Sequence, residues 1–467
     1  MRRLVVVGGG ITGLAAAWTA RRLAGQIPDG LDIVVLEKDR QVGGKARSPM
    51  DRGWLVESGP GGFLSGRPEL TQLIEDAGLA QRAIPANAEA ARRFIYRAGA
   101  LREIVPNPVG FARSGILSPA GLLRFLGEPF IPRRREDADE TVWDFAARRL
   151  GAEVADRLIM PMTLGIFAGD ARRLSLPAAF PRMHALEREH GSLIRGLIAK
   201  RGKTAAGTLT SFPEGIETLP RTLAGRGGFS VRCGAEVTAV IRDGAGWQVH
   251  VAGDATPLVA YVVVLAGEPW AMAPLLRPLS AAAADDLEGI YCPPVTVVGL
   301  GFAGADCPAV PRGFGVLITR GEGYRMLGNL WDSYIFPHRS PDGHVLIRLM
   351  LGGAVDPDVG RLSEGEAIGL ARSEVARMYG ITAPPRFERA VRWPRAIAQY
   401  ELGHLARVSR VDAALSALGG VVIGGSGLHG VSFADAAVSG VRCGERAVER
   451  LRGSIKPDCK QIPYLIS

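Results

Sequence analysis

No apolar run in the chain approaches the roughly 20 residues that a membrane-spanning helix requires, so any membrane contact is expected to be peripheral. The opening Met1-Arg2-Arg3 is followed by only four apolar residues, 4–7, before glycines interrupt, which is too short for a signal peptide and fits a first β-strand. The five cysteines, Cys233, Cys292, Cys307, Cys443 and Cys459, are scattered and contain no C-x-x-C pair. That pattern argues against a disulfide framework and fits free thiols in a reducing cytosol. The seven histidines are equally dispersed. His184 and His190 flank Glu187, but a spacing of i and i+6 does not place two ligands on one helix face, and no metal is expected. Ser175 and Ser192 lack a G-x-S-x-G setting, which leaves a hydrolase unsupported. A net charge of +9 favours an acidic partner. Without zinc-ligand spacing, an RNA-binding signature or a long basic arm, that partner is expected to be anionic lipid or an acidic small molecule, not nucleic acid. Low-complexity tracts and internal repeats are also missing.

With 467 residues, 47% apolar and 22% charged, the chain can fill more than one core and is expected to be a multidomain globular protein. Residues 4–7, a glycine turn, an alanine-rich helical stretch over 11–23 and a second apolar run over 32–36 read as a βαβ unit. Between about 107 and 201 the pattern turns helical, with apolar residues crowded into 115–126. The run Arg133-Arg134-Arg135, Glu136, Asp137, Asp139 and Glu140 reads as a solvated loop. Short β-branched runs over 228–266 suggest a meander, and further strand signals over 295–302, 315–319 and 345–351 suggest a second sheet. A strand over 420–424 and a closing helix over 434–451 end the pattern.

Gly8-Gly9-Gly10-Ile11-Thr12-Gly13 satisfies G-x-G-x-x-G at the junction of the first strand and helix. There Gly8 permits the tight turn, Gly10 lets the backbone approach a pyrophosphate, and Gly13 allows close packing beside a helix N-terminus. Glu37, at the end of the second strand, is suited to accept hydrogen bonds from a ribose. Lys38 follows it, and a second glycine pair, Gly43-Gly44, stands before Lys45.

This arrangement resembles the amine-oxidase and protoporphyrinogen-oxidase superfamily of FAD enzymes, with Gln41 where that pattern often has arginine. Four further blocks follow in family order. Glu57-Ser58-Gly59-Pro60, continuing into Gly61 and Gly62, resembles the E-x-G-P turn. Gly165-Ile166-Phe167-Ala168-Gly169-Asp170, Leu174-Ser175 and Phe180-Pro181 resemble a porphyrinogen-oxidase pattern that generic amine oxidases lack. Trp393-Pro394-Arg395-Ala396-Ile397-Ala398-Gln399-Tyr400 with Gly403-His404 resembles W-x-x-A-I-P-Q-Y-x-x-G-H, with Ala398 in the proline's place. Gly424-Gly425 and Gly430-Val431-Ser432-Phe433 resemble the last flavin-proximal segment, with Ser426 replacing asparagine.

The resemblance implies an α/β fold, α+β overall: a Rossmann-like FAD-binding domain from 1–80, 205–265 and 415–453, a mixed-sheet substrate domain from 81–106 and 266–414, a helical, membrane-associating insert over 107–204 and a tail over 454–467. It implies FAD contacts at Gly8, Gly9, Gly10, Ile11, Thr12, Gly13, Glu37, Lys38, Gly43, Gly44, Lys45, Gly59, Pro60, Gly61, Gly62, Val237, Trp393, Gly425, Val431, Ser432 and Phe433. Arg93 in Arg93-Phe94-Ile95 would pair with a substrate propionate, and Leu317 and Trp331 would line the slot for the macrocycle. The implied reaction is the six-electron oxidation of protoporphyrinogen IX or coproporphyrinogen III in heme biosynthesis, with dioxygen as acceptor. Because the cofactor carries such chemistry, no catalytic acid or base is assigned. The enzyme is expected in the cytoplasm, in peripheral contact with anionic lipid at the inner face of the cell membrane, and a homodimer is compatible with this reading. Rival readings are an amine oxidase, a carotenoid desaturase, or a flavin-binding carrier without turnover.

Overall fold

The computed structural model describes residues 1–134, 138–200, 207–244 and 246–453. Arg135, Glu136 and Asp137 of the charge run, Cys459 and the expected tail lie outside the described residues.

The chain opens with the expected unit: strand β1, Arg2–Val7, helix α1, Ile11–Arg22, and strand β2, Leu31–Glu37. Strands β1 and β2 pair in parallel, as a βαβ unit requires. They form the centre of a five-stranded parallel sheet with Ser230–Cys233 beside β2, and Val262–Leu265 then Val421–Ile423 beside β1. The expected meander over 228–266 is therefore corrected. Its first and last strands join this parallel sheet, and only Val237–Asp243, Gly246–Val251 and Leu258–Ala260 form an antiparallel three-stranded sheet. The signal that separates them is burial: the outer strand Val262–Leu265 is apolar at every position, as a strand covered on both faces must be.

The terminal helix Phe433–Leu451, capped by the Ser432 side chain, packs along α1 at very short range. A Cβ at Gly440 would strike the Thr12 carbonyl, and one at Gly444 the Ala16 carbonyl. The contact closes with Thr12 Oγ1 donating to the Ala436 carbonyl at 3.0 Å. The last helix thereby fixes the position of the first helix's N-terminus.

A seven-stranded mixed sheet forms the second layer, in the order Phe387–Trp393, Val295–Ala303, His344–Gly352, Met326–Trp331, Gly315–Ile318, Arg93–Arg97, Ala100–Glu103. One face is covered by helix Glu364–Tyr379, which starts with a Ser363/Glu366 capping box. The core on that face holds Phe94, Val316, Ile318, Leu349 and Trp331. The opposite face meets the rest of the molecule: Gly299 lies against Val56, Gly301 against Trp54, and Leu317 against Gly165 of the insert.

The insert consists of short helices between Pro108–Arg113 and Leu193–Lys200. Its interior contains a completely buried ion pair, Arg149 with Glu128. Glu128 also accepts from the Leu193 amide at 2.9 Å, and Arg149 donates to the carbonyls of Ile131 at 2.7 Å and Gly191 at 2.9 Å. These bonds offset much of the cost of burying the pair, although Arg149 Nε is left without a partner. The apolar stretch 115–126 divides differently from expectation. Ile116 and Leu117 are buried, whereas Leu123 and Leu126 of helix Pro119–Leu126 are exposed, as are Phe130, Leu197 and Ile198 on neighbouring elements. Of the charge run, Arg133, Arg134 and Asp139 are exposed as expected, while its end is tied down: Asp139 accepts from Ser175 Oγ at 2.7 Å and from the Gly403 amide at 2.8 Å, and Glu140 pairs with Arg148 at 2.7 Å.

Candidate cofactor and substrate site

The turn between β1 and α1 is free of side chains because neighbouring backbone occupies the space. A Cβ at Gly8, whose φ is +109°, would stand 2.8 Å from the Ala266 carbonyl oxygen, and one at Gly13 would overlap the Gly8 carbonyl. At Gly9 it would meet Glu37 at 2.9 Å, whereas at Gly10 it meets nothing within 4 Å. The open space therefore lies over Gly10, at the N-terminus of α1, where amide groups and the helix dipole favour an anion. Ile11 and Thr12, the first helical residues, are buried. Glu37 accepts from the Gly9 amide at 2.7 Å and the Asp39 amide at 2.8 Å. One backbone donor on each carboxylate oxygen leaves acceptor capacity for ribose hydroxyls.

The second glycine pair packs onto the first turn. The Gly43 amide donates to the Gly9 carbonyl at 2.9 Å, and Gly44 faces the Gly10 Cα. Lys45 pairs with Glu268 at 2.6 Å and also donates to the Ala396 carbonyl. Gly59 is side-chain-free because a Cβ there would press on the Lys45 carbonyl at 2.6 Å; Gly61 adjoins the Arg348 guanidinium and Gly62 the Thr210 carbonyl. Pro60 continues this turn, and Trp393 Nε1 donates to the Ser58 carbonyl at 2.6 Å. Gly425, with φ of +137°, faces the Gly267 carbonyl at the end of the parallel sheet. Val431 and the cap residue Ser432 lead from that loop into the terminal helix, whose first residue, Phe433, stacks with Phe63. Lys38 is exposed over the Trp270 ring, and Val237 begins a strand two residues beyond Ala235, whose amide donates to the Glu37 carbonyl. Segments distant in sequence are thus linked by direct contacts: 43–45 with the first glycine turn, 59 with Lys45, Lys45 with Glu268 and Ala396, and 425 with Gly267. The space over Gly10 and the spare acceptors of Glu37 suit a dinucleotide.

The residues expected to bind substrate fall apart from one another. Arg93 is exposed, 5.1 Å from the Phe314 ring centroid, and among the described residues no carboxylate pairs with it. Leu317 lies on the adjacent strand, opposite Ile95, on the face that meets the insert. Trp331 requires correction. It is fully buried on the other face, donates Nε1 to Tyr379 Oη at 3.0 Å and sits 5.3 Å from the Phe94 ring, so it cannot line the slot. Strand alternation puts Leu317 and Trp331 on opposite faces of the sheet.

Sequence reasoning missed the polar cluster beneath the 57–62 turn. Arg348, buried in an otherwise apolar strand, donates to Asp332 at 2.7 Å and to the Gly59 carbonyl at 2.8 Å. Glu57 accepts from Ser48 Oγ at 2.6 Å and the Ile216 amide at 3.1 Å, with Arg339 at 3.2 Å. A charged residue in the middle of Val345-Leu346-Ile347-Arg348-Leu349 was the available signal. Burial pushes the Glu57 carboxyl up to about 7, against the lowering pull of Arg339, Ser48, Arg348 and the Ile216 amide.

A family model described as Flavin containing amine oxidoreductase matches residues 11–448. The chain belongs to that family. It is 33% identical to a chloroplastic protoporphyrinogen oxidase of Oryza sativa subsp. japonica, over 95% of this chain and 86% of the relative. It is 28% identical to a coproporphyrinogen III oxidase of Bacillus subtilis, over 93% and 95%. A crystal structure from Exiguobacterium sp. 255-15, assigned as a protoporphyrinogen oxidase, superposes with a TM-score of 0.84 at 25% identity, covering 95% of this chain and 98% of the other. The cofactor is FAD, and the chain is an FAD-dependent oxidoreductase of the porphyrinogen-oxidase type.

The Glu57 cluster gives a pH-dependent expectation. A carboxyl whose folded pKa, about 7, exceeds its unfolded value of 4.5 contributes stability that is complete below 4.5 and is lost as pH rises through 7. The melting temperature of the parent, measured relative to Glu57→Gln, should therefore fall between pH 4.5 and 7. A difference that stays flat across this interval would show that Glu57 is ionised throughout.

Proposed function

We infer that the protein oxidises a porphyrinogen, protoporphyrinogen IX or coproporphyrinogen III, to the corresponding porphyrin in heme biosynthesis. The observation that carries this reading is the end-to-end similarity to protoporphyrinogen and coproporphyrinogen III oxidases, which spans more than nine-tenths of the chain. FAD, when bound, supplies the hydride acceptor for three two-electron oxidations, and dioxygen is the oxidant that regenerates it.

The chain's own residues bind and orient. Arg93 is proposed to anchor a propionate: its planar fork suits a carboxylate, and it has no competing acidic partner among the described residues. Leu317 supplies an apolar slot wall, and Gly165 opposite it is kept free of a side chain, because a Cβ there would stand 2.7 Å from Leu317. A reduced tetrapyrrole with an apolar macrocycle and anionic propionates needs that combination of an apolar slot and a cationic end.

The insert is proposed to rest on an anionic bilayer in the cytoplasm, at the inner face of the cell membrane. Exposed Leu123, Leu126, Phe130, Leu197 and Ile198 are accompanied by exposed Arg113, Arg195 and Lys200, a pairing suited to in-plane contact with acidic headgroups. Among the described residues no helix is long and apolar enough to cross a membrane.

Three experiments test this reading. Incubating the FAD-loaded protein with each porphyrinogen should produce the porphyrin absorbance band, whereas turnover of amines, or flavin binding without turnover, would replace this reading with one of its rivals. Arg93→Ala should raise the Michaelis constant about 10- to 150-fold, the loss of roughly 1.5 to 3 kcal/mol from a charge-assisted pair, with FAD content unchanged. Arg93→Lys should restore part of it, and an unchanged Michaelis constant would remove Arg93 from the substrate site. In flotation assays the protein should rise with anionic liposomes at low salt and less so at high salt; retention in the soluble fraction under both conditions would refute membrane contact.

A further inference from the structure

Residues 393–404 run from the end of the seven-stranded sheet to the start of helix His404–Leu418, and their polar groups are bonded to other parts of the site. Trp393 holds the Ser58 carbonyl, and the Ala396 carbonyl accepts from Lys45. Gln399 donates Nε2 to the Phe167 carbonyl at 2.8 Å, at the end of the insert helix that carries Gly165. Tyr400 donates its hydroxyl to the Ser426 carbonyl at 2.6 Å and accepts from the Gly430 amide at 2.7 Å. His404 Nε2 lies 3.1 Å from the Leu428 carbonyl. A carbonyl only accepts, so Nε2 must carry the proton. The two rings are stacked, 3.9 Å between centroids and 16° from parallel, and each is 2% exposed. Burial also pushes His404 down to about 4, which keeps it neutral near pH 7.

Within itself the loop they hold makes one long hydrogen bond, from the Leu428 amide to the Gly425 carbonyl at 3.3 Å. Residues 424–430 include four glycines, with φ of +137° at Gly425 and +129° at Gly430, and such a segment has wide conformational freedom when unconstrained. Ser426, Leu428 and Gly430 are each fixed from below by one of the two rings. Gly425 is fixed separately, its amide donating to Ser439 Oγ at 3.0 Å.

We propose that Tyr400 and His404 are positioning residues for the cofactor: the stacked pair sets the conformation of loop 424–430 that receives FAD, and Gln399 ties the same segment to the insert wall of the substrate slot. The proposal rests on the reading that this loop lies against FAD. It gives a physical role to the Q-Y and G-H positions of the 393–404 block. Neither ring need touch the reacting atoms.

The test uses full-length apoprotein titrated with FAD, followed by quenching of flavin fluorescence. Tyr400→Phe preserves the stacked ring but deletes both hydrogen bonds, and should weaken FAD binding about 10- to 100-fold. It should also shift the flavin absorption bands of the saturated protein. A merely structural role would lower the stability of apo and FAD-bound forms alike and leave the dissociation constant and the spectrum unmoved. His404→Gln, which retains an amide donor for Leu428, should stay within about threefold of the parent, whereas His404→Leu should lose about tenfold or more; this pair decides the matter if Tyr400→Phe does not fold. Parent-like FAD affinity and spectrum in Tyr400→Phe and His404→Leu would overturn the proposal alone. A parent that takes up no FAD would overturn the reading of the cofactor site together with it.

Discussion

The arrangement of this molecule depends on keeping one volume empty, the space over Gly10 at the N-terminus of α1. Three other glycines of the same turn touch backbone or Glu37, so the chain is folded as tightly there as it can be, yet Gly10 itself faces open space. Holding that opening requires α1 to stay in place. The Thr12 and Ala16 carbonyls are pressed against Gly440 and Gly444 of the last helix, and the second glycine pair is bonded to the turn through Gly43. Strand β1, α1 and the helix Phe433–Leu451 therefore pack as one unit around the opening.

Around this opening, function-bearing segments are loops whose glycines cannot fix their own shape. The polar side chains that fix them come from elsewhere: Arg348 takes the Gly59 carbonyl, Trp393 takes the Ser58 carbonyl, and Tyr400 and His404 take the 424–430 loop. Each of these groups is buried or half-buried, where an unmade hydrogen bond costs more than it does in water. The site is thus preorganised by rigid neighbours, which suits a cofactor that brings its own chemistry and needs orientation from the protein.

Local signals made much of this legible. The spacing of Gly8, Gly10 and Gly13 between a strand and a helix, with Glu37 after the next strand, announced the tight turn with open space over Gly10 that is proposed to take the nucleotide, because each residue type answers a local steric or hydrogen-bonding need. The helical insert was visible from its change of pattern. What local patterns could not reveal was pairing in three dimensions. Val262–Leu265 looked like one more hairpin strand, but it enters the parallel sheet beside β1. Trp331 stood in a segment that resembled a substrate wall, yet strand alternation turns it towards Tyr379, while Leu317 faces the insert. Ile116 and Leu117 looked continuous with Leu123 and Leu126, but the first two lie in the bend between two short helices and are buried, while the last two lie on the second helix and are exposed. Arg348 reaches the Glu57 and Gly59 carbonyls, 291 and 289 residues away, and only the fold brings them together.

The most direct test of the account is cofactor uptake through the opening over Gly10. Apoprotein mixed with FAD should become yellow, bind one FAD per chain and release it unmodified on heating, whereas Gly10→Val should keep the parent's circular dichroism spectrum yet stay colourless. A Gly10→Val protein that binds FAD as tightly as the parent, or a parent that binds NADP in preference to FAD, would contradict it.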